Sequence, residues 1–466
     1  MLFNSYEFLF ALLPIVLVGY YLLLPKVWRH AWLVLASFIF YGWWDYRFCS
    51  LLLLTITIDY VAGGRIAAAT NPKVRKRWLR FSIISDLSIL GFFKYYDLGA
   101  ATINQITGWL GAESSLVPLL HLVLPVGISF YTFQAMSYSI DIYRGHARPA
   151  RSFIDFACYV SLFPQLVAGP IVRYHEIDEQ LRKRSHTWAK AGAGIVLFVL
   201  GLAKKVLIAD AVALIAEWTF SHAAPGLAGA WSGLLAYTLQ IYFDFSGYSD
   251  MAVGLGLLLG FQFPQNFHSP YKAISITDFW RRWHISLSSW LRDYLYIPLG
   301  GNRKGSVRTY INLFLTMLLG GLWHGANWTF VLWGAYHGLW LALERWNGKR
   351  GIGWRLPQPL QILMTFVIVM MGWVLFRAPT LDVAATMFRG LAGLNGWGDV
   401  YPMVGSSLLN WGIGLIGVAL VFFARNTWEI SWKPRAGLLV ALAMLFLLCV
   451  GVFLVNTSSP FLYFQF

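Results

Sequence analysis

The chain has 466 residues, of which 58% are hydrophobic, and its mean hydropathy is +0.58. Soluble domains are about 45–50% apolar, so the composition excludes an ordinary soluble domain and predicts a polytopic, all-α membrane protein. The formal net charge is +15. The basic residues lie in short loops between apolar segments, which is typical of cytoplasmic loops and of contact with anionic ligands or lipid headgroups, and not of a nucleic-acid-binding face.

The chain contains three cysteines, far apart and each in an apolar run, at Cys49, Cys158 and Cys449. An odd number of isolated cysteines predicts no disulfide, and their spacing matches no zinc or redox motif. We therefore predict no metal site and no catalytic thiol.

The first apolar segment, Tyr6–Leu24, has no basic residue before it and no small-residue cleavage site, so it is predicted to be a retained helix. Lys26 and Arg29 follow it and place the N-terminus outside the cytoplasm. Further helices are predicted over residues 31–44, 51–61 and 81–93, with a strongly basic cytoplasmic loop between the last two. Residues 97–116 are predicted to form an external, partly helical loop.

The segment Phe153–Pro170 follows an apolar run that opens at Pro125, and it has basic residues on both flanks. Its two ends therefore both look cytoplasmic, and its prolines and glycine could turn the chain. We predict a second re-entrant or broken segment here. The alternative is an external loop, in which Glu176, Asp178 and Glu179 offset the basic residues.

Two lysines, Lys204 and Lys205, interrupt the next apolar run, and they could extend toward the membrane interface. The long helix predicted over residues 231–261 carries Asp244 and Asp250. These carboxylates are six residues apart and cannot share one helix face, which argues against a paired acid–base site. Either could orient a histidine or bond a backbone group.

The polar stretch 266–301 contains a helical pattern over Thr277–Tyr296, with Thr277 as the predicted N-cap. Apolar residues recur along one face of this pattern, and arginines lie at its edges: Arg281, Arg282 and Arg292. The pattern is typical of an amphipathic helix that lies at the interface or packs over a cytoplasmic cavity. His284 lies within it, as an interfacial polar contact or as a catalytic group.

No charged residue occurs between Arg308 and Glu344. One bilayer crossing needs about 20 apolar residues, so this stretch is too long for one crossing and short for two. Both flanks are basic, which predicts a hairpin that enters and leaves on the cytoplasmic side, with its turn over Gly320–Asn327. His324 would then lie deep in the bilayer, where an ionisable residue indicates function unless it is a structural, hydrogen-bonded histidine.

The remaining apolar segments predict helices over residues 359–376, 408–424 and 437–455. The total is about eleven or twelve helical segments, some not crossing fully, in one domain covering residues 1–466. The charge pattern places both ends of the sequence outside the cytoplasm.

Three motifs carry a family resemblance: YFDFSGYSD over Tyr242–Asp250, FWRRWHISL over Phe279–Leu287 and LWHGAN over Leu322–Asn327. Together and in this order they resemble the membrane-bound O-acyltransferase (MBOAT) family, and within it the branch that O-acetylates bacterial polysaccharides such as alginate. The resemblance extends along the whole chain.

The resemblance implies a ring of helices with re-entrant segments around a central pore, with a motif-bearing core over about residues 120–346 and peripheral helices at 1–96 and 359–466. It implies acetyl-CoA as donor from the cytoplasm, and a periplasmic SGNH-type partner that completes transfer to an exopolysaccharide, alginate-like or cellulose. His324 matches the catalytic histidine of the family, and His284 matches its second polar residue. The implied location is the bacterial inner membrane.

Acyl transfer from a thioester needs a base for the acceptor hydroxyl and donors for the oxyanion. A histidine suits the base because its ordinary pKa is about 6.5, and Trp323 and Asn327 are candidate donors, with Asp250 in support. The phosphates of coenzyme A need cationic partners. The predicted ones are Arg281, Arg282, Arg292, Arg303 and Lys304. These residues are also explained as ordinary cytoplasmic basic residues.

Two other function classes fit part of the pattern. Broken helices in mid-membrane also occur in transporters, which predicts a transporter or flippase for a lipid-linked or anionic substrate. A non-catalytic scaffold is the third class, and the setting of His324 argues against it.

The sequence closes on an apolar, aromatic segment, residues 458–466, which would suit an aromatic interface anchor. Its spacing Phe461-x-Tyr463-x-x-Phe466 also resembles the terminal motif of a small partner peptide in the related lipoteichoic acid D-alanylation system. There the tyrosine is proposed as an acyl carrier, which makes Tyr463 a candidate carrier here.

Overall fold

The computed structural model describes residues 1–111, 115–348, 350–351, 353, 355–430, 432, 435–455 and 461–462. In these ranges every regular element is helical, so the all-α prediction is confirmed. The chain forms two compact units. The first comprises Met1–Ala191 with Leu255–Phe263, and the second comprises Gly192–Gly254 with Pro264–Phe466.

The first unit contains eight helices among its described residues, besides a 3₁₀ turn at Lys26–Trp28. They are α1 (Glu7–Leu23), α2 (Arg29–Gly42), α3 (Phe48–Ala68), α4 (Pro72–Trp109), α5 (Ile128–Arg144), α6 (Phe153–Ser161), α7 (Phe163–Leu166) and α8 (Tyr174–Arg182). A buried carboxylate links three of them, because Asp59 of α3 accepts hydrogen bonds from Ser82 of α4 and Ser139 of α5.

Two segments of this unit test the sequence predictions. The prediction of a short helix over 81–93 followed by a loop is wrong, because α4 extends from Pro72 to Trp109. Asn71 caps its start by accepting the Lys73 N–H at 2.9 Å. The predicted break in 153–170 is present: α6 ends at Ser161, and α7 begins at Phe163 with Pro164 in its first turn. That this segment is re-entrant stays a prediction.

The second unit holds most of the remaining helices. They are α9 (Trp188–Ala203), α10 (Asp210–Ser221), α11 (Leu227–Leu258), α12 (Ile276–Arg282), α13 (Ile285–Leu291), α14 (Gly305–His324), α15 (Trp328–Trp346), α16 (Gln358–Arg377), α17 (Leu381–Leu391), α18 (Ser407–Phe423) and α19 (Ala436–Val455). The first residues of α9 and the last of α11 belong to the first unit.

Helices α14 and α15 form the predicted helical hairpin, but its turn is shorter than predicted. Gly320 and Gly321 lie inside α14, and only residues 325–327 connect the two helices. The glycines instead allow the backbones to touch. A Cβ atom on Gly321 would lie 2.3 Å from the Phe330 carbonyl oxygen, and one on Gly334 would lie 2.4 Å from that of Met317.

Among the described residues, two helices are long and apolar enough to cross a membrane, α3 and α16. Shorter apolar helical stretches cover Glu7–Leu23, Ser407–Phe423 and Ala436–Val452. The ring of helices, its pore and the single domain stay predictions.

The contact between α14 and α15 gives a first test, the variant Gly334→Ala. Because its new methyl group would overlap the Met317 carbonyl oxygen, we expect the protein to lose about 1–3 kcal/mol of stability. Thermal unfolding in detergent measures the change. The matched control is Gly412→Ala on α18, where a Cβ meets nothing within 4 Å. Alanine favours a helix by about 1 kcal/mol over glycine, so equal behaviour of the two variants would contradict the close contact.

Candidate active site

His324 is the last residue of α14, and the chain turns directly after it. Gly325 follows in an extended conformation, with φ of −161°. A Cβ there would lie 2.1 Å from the Phe330 ring, so only glycine fits. Asn327 then starts α15 by accepting the Thr329 N–H at 3.1 Å. The short turn therefore fixes His324 at the end of its helix.

Aromatic rings surround His324. Its ring centroid lies 5.0 Å from that of Trp323, 5.1 Å from that of Trp333 and 5.2 Å from that of Phe376, each at an edge-on angle. Only 5% of the residue is exposed. Electrostatic interactions and hydrogen bonds are stronger in such a site than in water.

His284 lies where the predicted amphipathic helix breaks. The single helix over Thr277–Tyr296 is wrong, because His284 has a left-handed backbone with φ of +44° and separates α12 from α13. Apolar periodicity alone does not reveal such a break. The break turns the histidine inward, where it is fully buried.

Asn266 orients the His284 ring, and sequence reasoning missed it. Its side-chain oxygen lies 3.2 Å from His284 Nδ1, and it also accepts hydrogen bonds from the N–H and the hydroxyl of Ser286. Its amide nitrogen donates to the Ser249 hydroxyl at 3.0 Å. An amide oxygen only accepts, so Nδ1 of His284 carries the proton and Nε2 is its basic nitrogen.

The two histidines are neighbours in the second unit. Their ring centroids are 6.4 Å apart, and that of Trp323 is 6.2 Å from that of His284. Phe245 of α11 contacts His284 edge-on at 4.7 Å. Three motifs separated in sequence thus meet here, since each contributes a ring to one cluster.

Two further buried residues support this cluster without having been singled out from the sequence. His337, on the turn of α15 after Trp333, packs against Trp333 at 5.0 Å and Trp280 at 5.1 Å. Glu344 ends the uncharged stretch, and its carboxylate accepts the N–H groups of Ile276 and Thr277 at the start of α12. A buried carboxylate stabilises a helix N-terminus.

The predicted N-cap of α12 is wrong by two residues. Ser275 is the cap, since its hydroxyl oxygen accepts the Asp278 N–H at 3.0 Å. The Thr277 hydroxyl instead donates to Glu344 at 2.6 Å.

The predicted supporting residues have partners elsewhere. Asn327 uses its oxygen for the cap, and its amide donates to the Pro379 carbonyl oxygen at 2.8 Å. Asp250 pairs with Lys204 at 2.6 Å and accepts from the Thr427 hydroxyl. Their roles in catalysis stay predictions.

The predicted phosphate-binding cations fall into two groups. Arg282 pairs with Asp278 at 2.9 Å, and Arg292 pairs with Asp293 at 2.7 Å. The other three, Arg281, Arg303 and Lys304, are exposed, as Arg292 is, and none of them pairs with a carboxylate in the part of the chain that the structure describes. These three are better placed to meet a phosphate, because they do not have to leave a carboxylate.

Tyr463 lies outside the described residues, but Phe461 and Leu462 just before it are described and buried. The Phe461 ring stacks on Tyr248 at 4.7 Å, and the Leu462 N–H donates to Asp244 at 2.8 Å. In the described part of the chain, no group of three or more His, Cys, Asp or Glu side chains is arranged to hold a metal ion.

Comparison with known proteins agrees with the motifs. Residues 144–349 match the model of the membrane-bound O-acyltransferase family. The chain is 49% identical over 398 residues to the probable alginate O-acetylase AlgI of Azotobacter vinelandii, covering 85% of this chain and 79% of the relative. The corresponding protein of Pseudomonas putida is 45% identical over the full length of both chains. The peptidoglycan O-acetyltransferase of Helicobacter pylori is 41% identical, covering 85% of this chain and 80% of the relative.

The burial of His284 predicts a pH effect on stability. Helices α12 and α13 are seven residues each and too short to span a membrane. Burial lowers the pKa of His284 between them to about 3, whereas an unfolded histidine titrates near pH 6.5, at roughly its ordinary pKa. Between these values the unfolded chain binds more protons, so stability falls as the pH decreases from 6.5 toward 3.

His284→Gln removes this titrating group, so we expect the variant to lose less stability than the unsubstituted protein between about pH 7.5 and about pH 5. Thermal unfolding in detergent at the two pH values measures the loss. His222→Gln, at an exposed histidine, is the control and should follow the unsubstituted protein. Equal losses in all three proteins would contradict the buried neutral ring.

Proposed function

Because the chain belongs to the membrane-bound O-acyltransferase family, we propose that this membrane acyltransferase moves acetyl groups from cytoplasmic acetyl-CoA toward a periplasmic partner. That partner, of the SGNH type, then O-acetylates an exopolysaccharide, alginate-like or cellulose. The names of the relatives from Azotobacter vinelandii and Helicobacter pylori support acetyl as the transferred group. Family membership favours the acyltransferase over the transporter that broken helices also suggested.

The observation that carries the proposal is the buried pair of histidine rings, whose centroids are 6.4 Å apart. This distance lies within the range of packed rings, so the two imidazoles line one site, and a reacting group placed there can contact both. The aromatic wall formed with Trp323, Trp333 and Phe376 keeps water from the thioester.

His324 acts as the general base. Its neutral ring takes the proton of the acceptor hydroxyl while the acceptor oxygen attacks the thioester carbonyl carbon. The carbon–sulfur bond then breaks, and the coenzyme A thiolate leaves and receives the proton from the imidazolium. The indole N–H of Trp323 is the proposed donor to the carbonyl oxygen as its charge develops.

His284 assists from the other side of the site. The Nδ1–H group of His284 donates to the side-chain oxygen of Asn266. The Nε2 atom can therefore accept a hydrogen bond from the acceptor hydroxyl and orient it. The contact with Phe245 and the hydrogen bond to Asn266 limit the freedom of this ring. His284 is therefore proposed to align the acceptor, and His324 to remove its proton.

The coenzyme phosphates are proposed to bind the exposed cations Arg281, Arg303 and Lys304. Arg282 and Arg292 would have to exchange a carboxylate for the phosphate. The protein is proposed to lie in the bacterial inner membrane, with both ends of the sequence in the periplasm. Its basic loops would face the cytoplasmic supply of acetyl-CoA.

Tyr463 is the proposed first acceptor. A phenol has a pKa of about 10, so tyrosine is a better leaving group than a sugar hydroxyl. Its hydroxyl would attack the thioester, release coenzyme A and form an acetyl-tyrosine ester. A hydroxyl of the periplasmic partner would then attack that ester and restore the tyrosine, so coenzyme A need not cross the membrane.

The variant His324→Ala tests the base. General-base catalysis contributes about a hundred- to ten-thousand-fold, so we expect acetyl transfer from acetyl-CoA to fall by that range while the protein inserts and folds. Release of coenzyme A by purified protein measures the rate. His222→Ala, at an exposed histidine that packs on Trp218, is the control. Near-normal activity of His324→Ala would exclude His324 as the base.

The variant Tyr463→Phe tests the carrier, because it keeps the ring and removes only the hydroxyl. We expect no acetylation of the secreted polymer at unchanged protein level, measured by mass spectrometry of the polymer. The control is Tyr46→Phe, the same change at a tyrosine that is 79% exposed. Full acetylation in the Tyr463→Phe strain would leave residues 458–466 as an aromatic anchor only.

A further inference from the structure

Asp244 lies in the middle of α11 and is 1% exposed. Each of its two carboxylate oxygens has a partner. Oδ1 lies 2.8 Å from the ammonium group of Lys205, and Oδ2 accepts the backbone N–H of Leu462 at 2.8 Å. A buried carboxylate is costly unless a charge and hydrogen bonds compensate it. Here one of the compensating groups is the backbone near the end of the sequence.

Lys205 reaches Asp244 because α9 and α11 approach closely at glycines. A Cβ on Gly201 would lie 2.4 Å from the Gly247 carbonyl oxygen, and one on Gly254 would lie 2.5 Å from that of Gly194. The lysine follows α9 in a π-helical turn, a distortion that frequently occurs at functional sites. It also pairs with Asp210 at 2.7 Å, so its charge has two carboxylate partners.

The same face of α11 holds Phe461. Tyr248, four residues after Asp244, stacks on the Phe461 ring at 4.7 Å, and Phe245 lies against it at 5.7 Å. Phe245 is also the ring that contacts His284 at 4.7 Å. Phe245 therefore contacts both Phe461 and His284.

We propose that Asp244, held in place by Lys205, is a positioning residue that anchors the backbone at Leu462 next to Phe245, the ring that contacts His284. This inference rests on the proposed function, because Leu462 directly precedes the proposed acyl acceptor in the sequence. The rings of Tyr248 and Phe245 would suffice to hold an aromatic anchor. The charge-assisted hydrogen bond from the Leu462 N–H to Asp244 has a different effect, because it fixes the backbone at the residue that precedes Tyr463 in the sequence. The position of Leu462 along α11 is thus set by a carboxylate.

The first test measures the placement of Leu462 directly. In a full-length protein with Cys49, Cys158 and Cys449 replaced by alanine, the substitution Leu462→Cys supplies one thiol for a hydrophilic maleimide. Adding Asp244→Ala removes the acceptor of the 462 N–H, and a hydrogen bond to a charged group corresponds to about tenfold or more. We expect labelling at position 462 to become at least about tenfold faster.

Two matched variants serve as controls. Asp250→Ala removes the other carboxylate of α11 that pairs with a lysine, Lys204, and it should leave the labelling unchanged. Asp244→Asn keeps an oxygen for the 462 N–H, and Asp210 still pairs with Lys205, so it should restore most of the protection. Equal labelling of the Asp244→Ala and Asp250→Ala proteins would overturn the placement.

The second test separates positioning from folding. In the protein with Leu462 unchanged, Asp244→Ala should lower acetyl transfer to the polymer at least about tenfold, and Asp244→Asn should recover most of it. The affinity for coenzyme A should remain that of the unsubstituted protein. If the Asp244→Ala substitution speeds labelling at position 462 but leaves acetyl transfer at its full rate, the positioning role is overturned. If the unsubstituted protein transferred nothing from acetyl-CoA while Asp244 still protected position 462, the proposed function would fail and the anchoring by Asp244 would stand.

Discussion

The backbone contact between α14 and α15 is the constraint on which the site depends. Because Gly321 and Gly334 carry no Cβ, the two helices approach until a carbonyl oxygen of one meets the backbone of the other. At this separation a three-residue turn is enough to join them, and His324 lies at the helix end just before it. Trp333 of the second helix then reaches the His324 ring. Wider spacing would separate the His324 ring from the aromatic side chains around it.

The helix pair α9 and α11 carries glycines beside its buried charges. Gly194 and Gly201 on α9 face Gly254 and Gly247 on α11. Where backbones touch, the long side chains beside them must extend along the contact, and Lys204 and Lys205 both end on aspartates of α11. The close packing of α9 and α11 therefore also produces the ion pairs, because it brings the lysines within bonding distance of the aspartates.

The sequence indicates the all-α class, the helical hairpin and the two histidines, because these depend on composition, an uncharged stretch and local motifs. It does not indicate the partners that orient them. Asn266 and Glu344 act on residues far along the chain or on a helix start, and no period or local spacing encodes such contacts. The break at His284 is also hidden, because apolar residues continue at helical spacing on both sides of it. Local patterns thus predict the elements of the site, and long-range packing determines its geometry.

The left-handed backbone at His284 has a consequence for how this position can vary. A residue with a Cβ loses about 1–2 kcal/mol in that conformation, while glycine loses none and asparagine little. Substitutions at this position should therefore differ in two separate costs. One is the cost of the left-handed backbone, which is largest for β-branched residues, and the other is the cost of emptying the space of a fully buried ring. Glycine adopts the backbone without strain but leaves the larger cavity, while asparagine adopts it at little cost and fills part of the space. The stabilities of these two variants would therefore separate the contribution of the backbone conformation from that of side-chain packing.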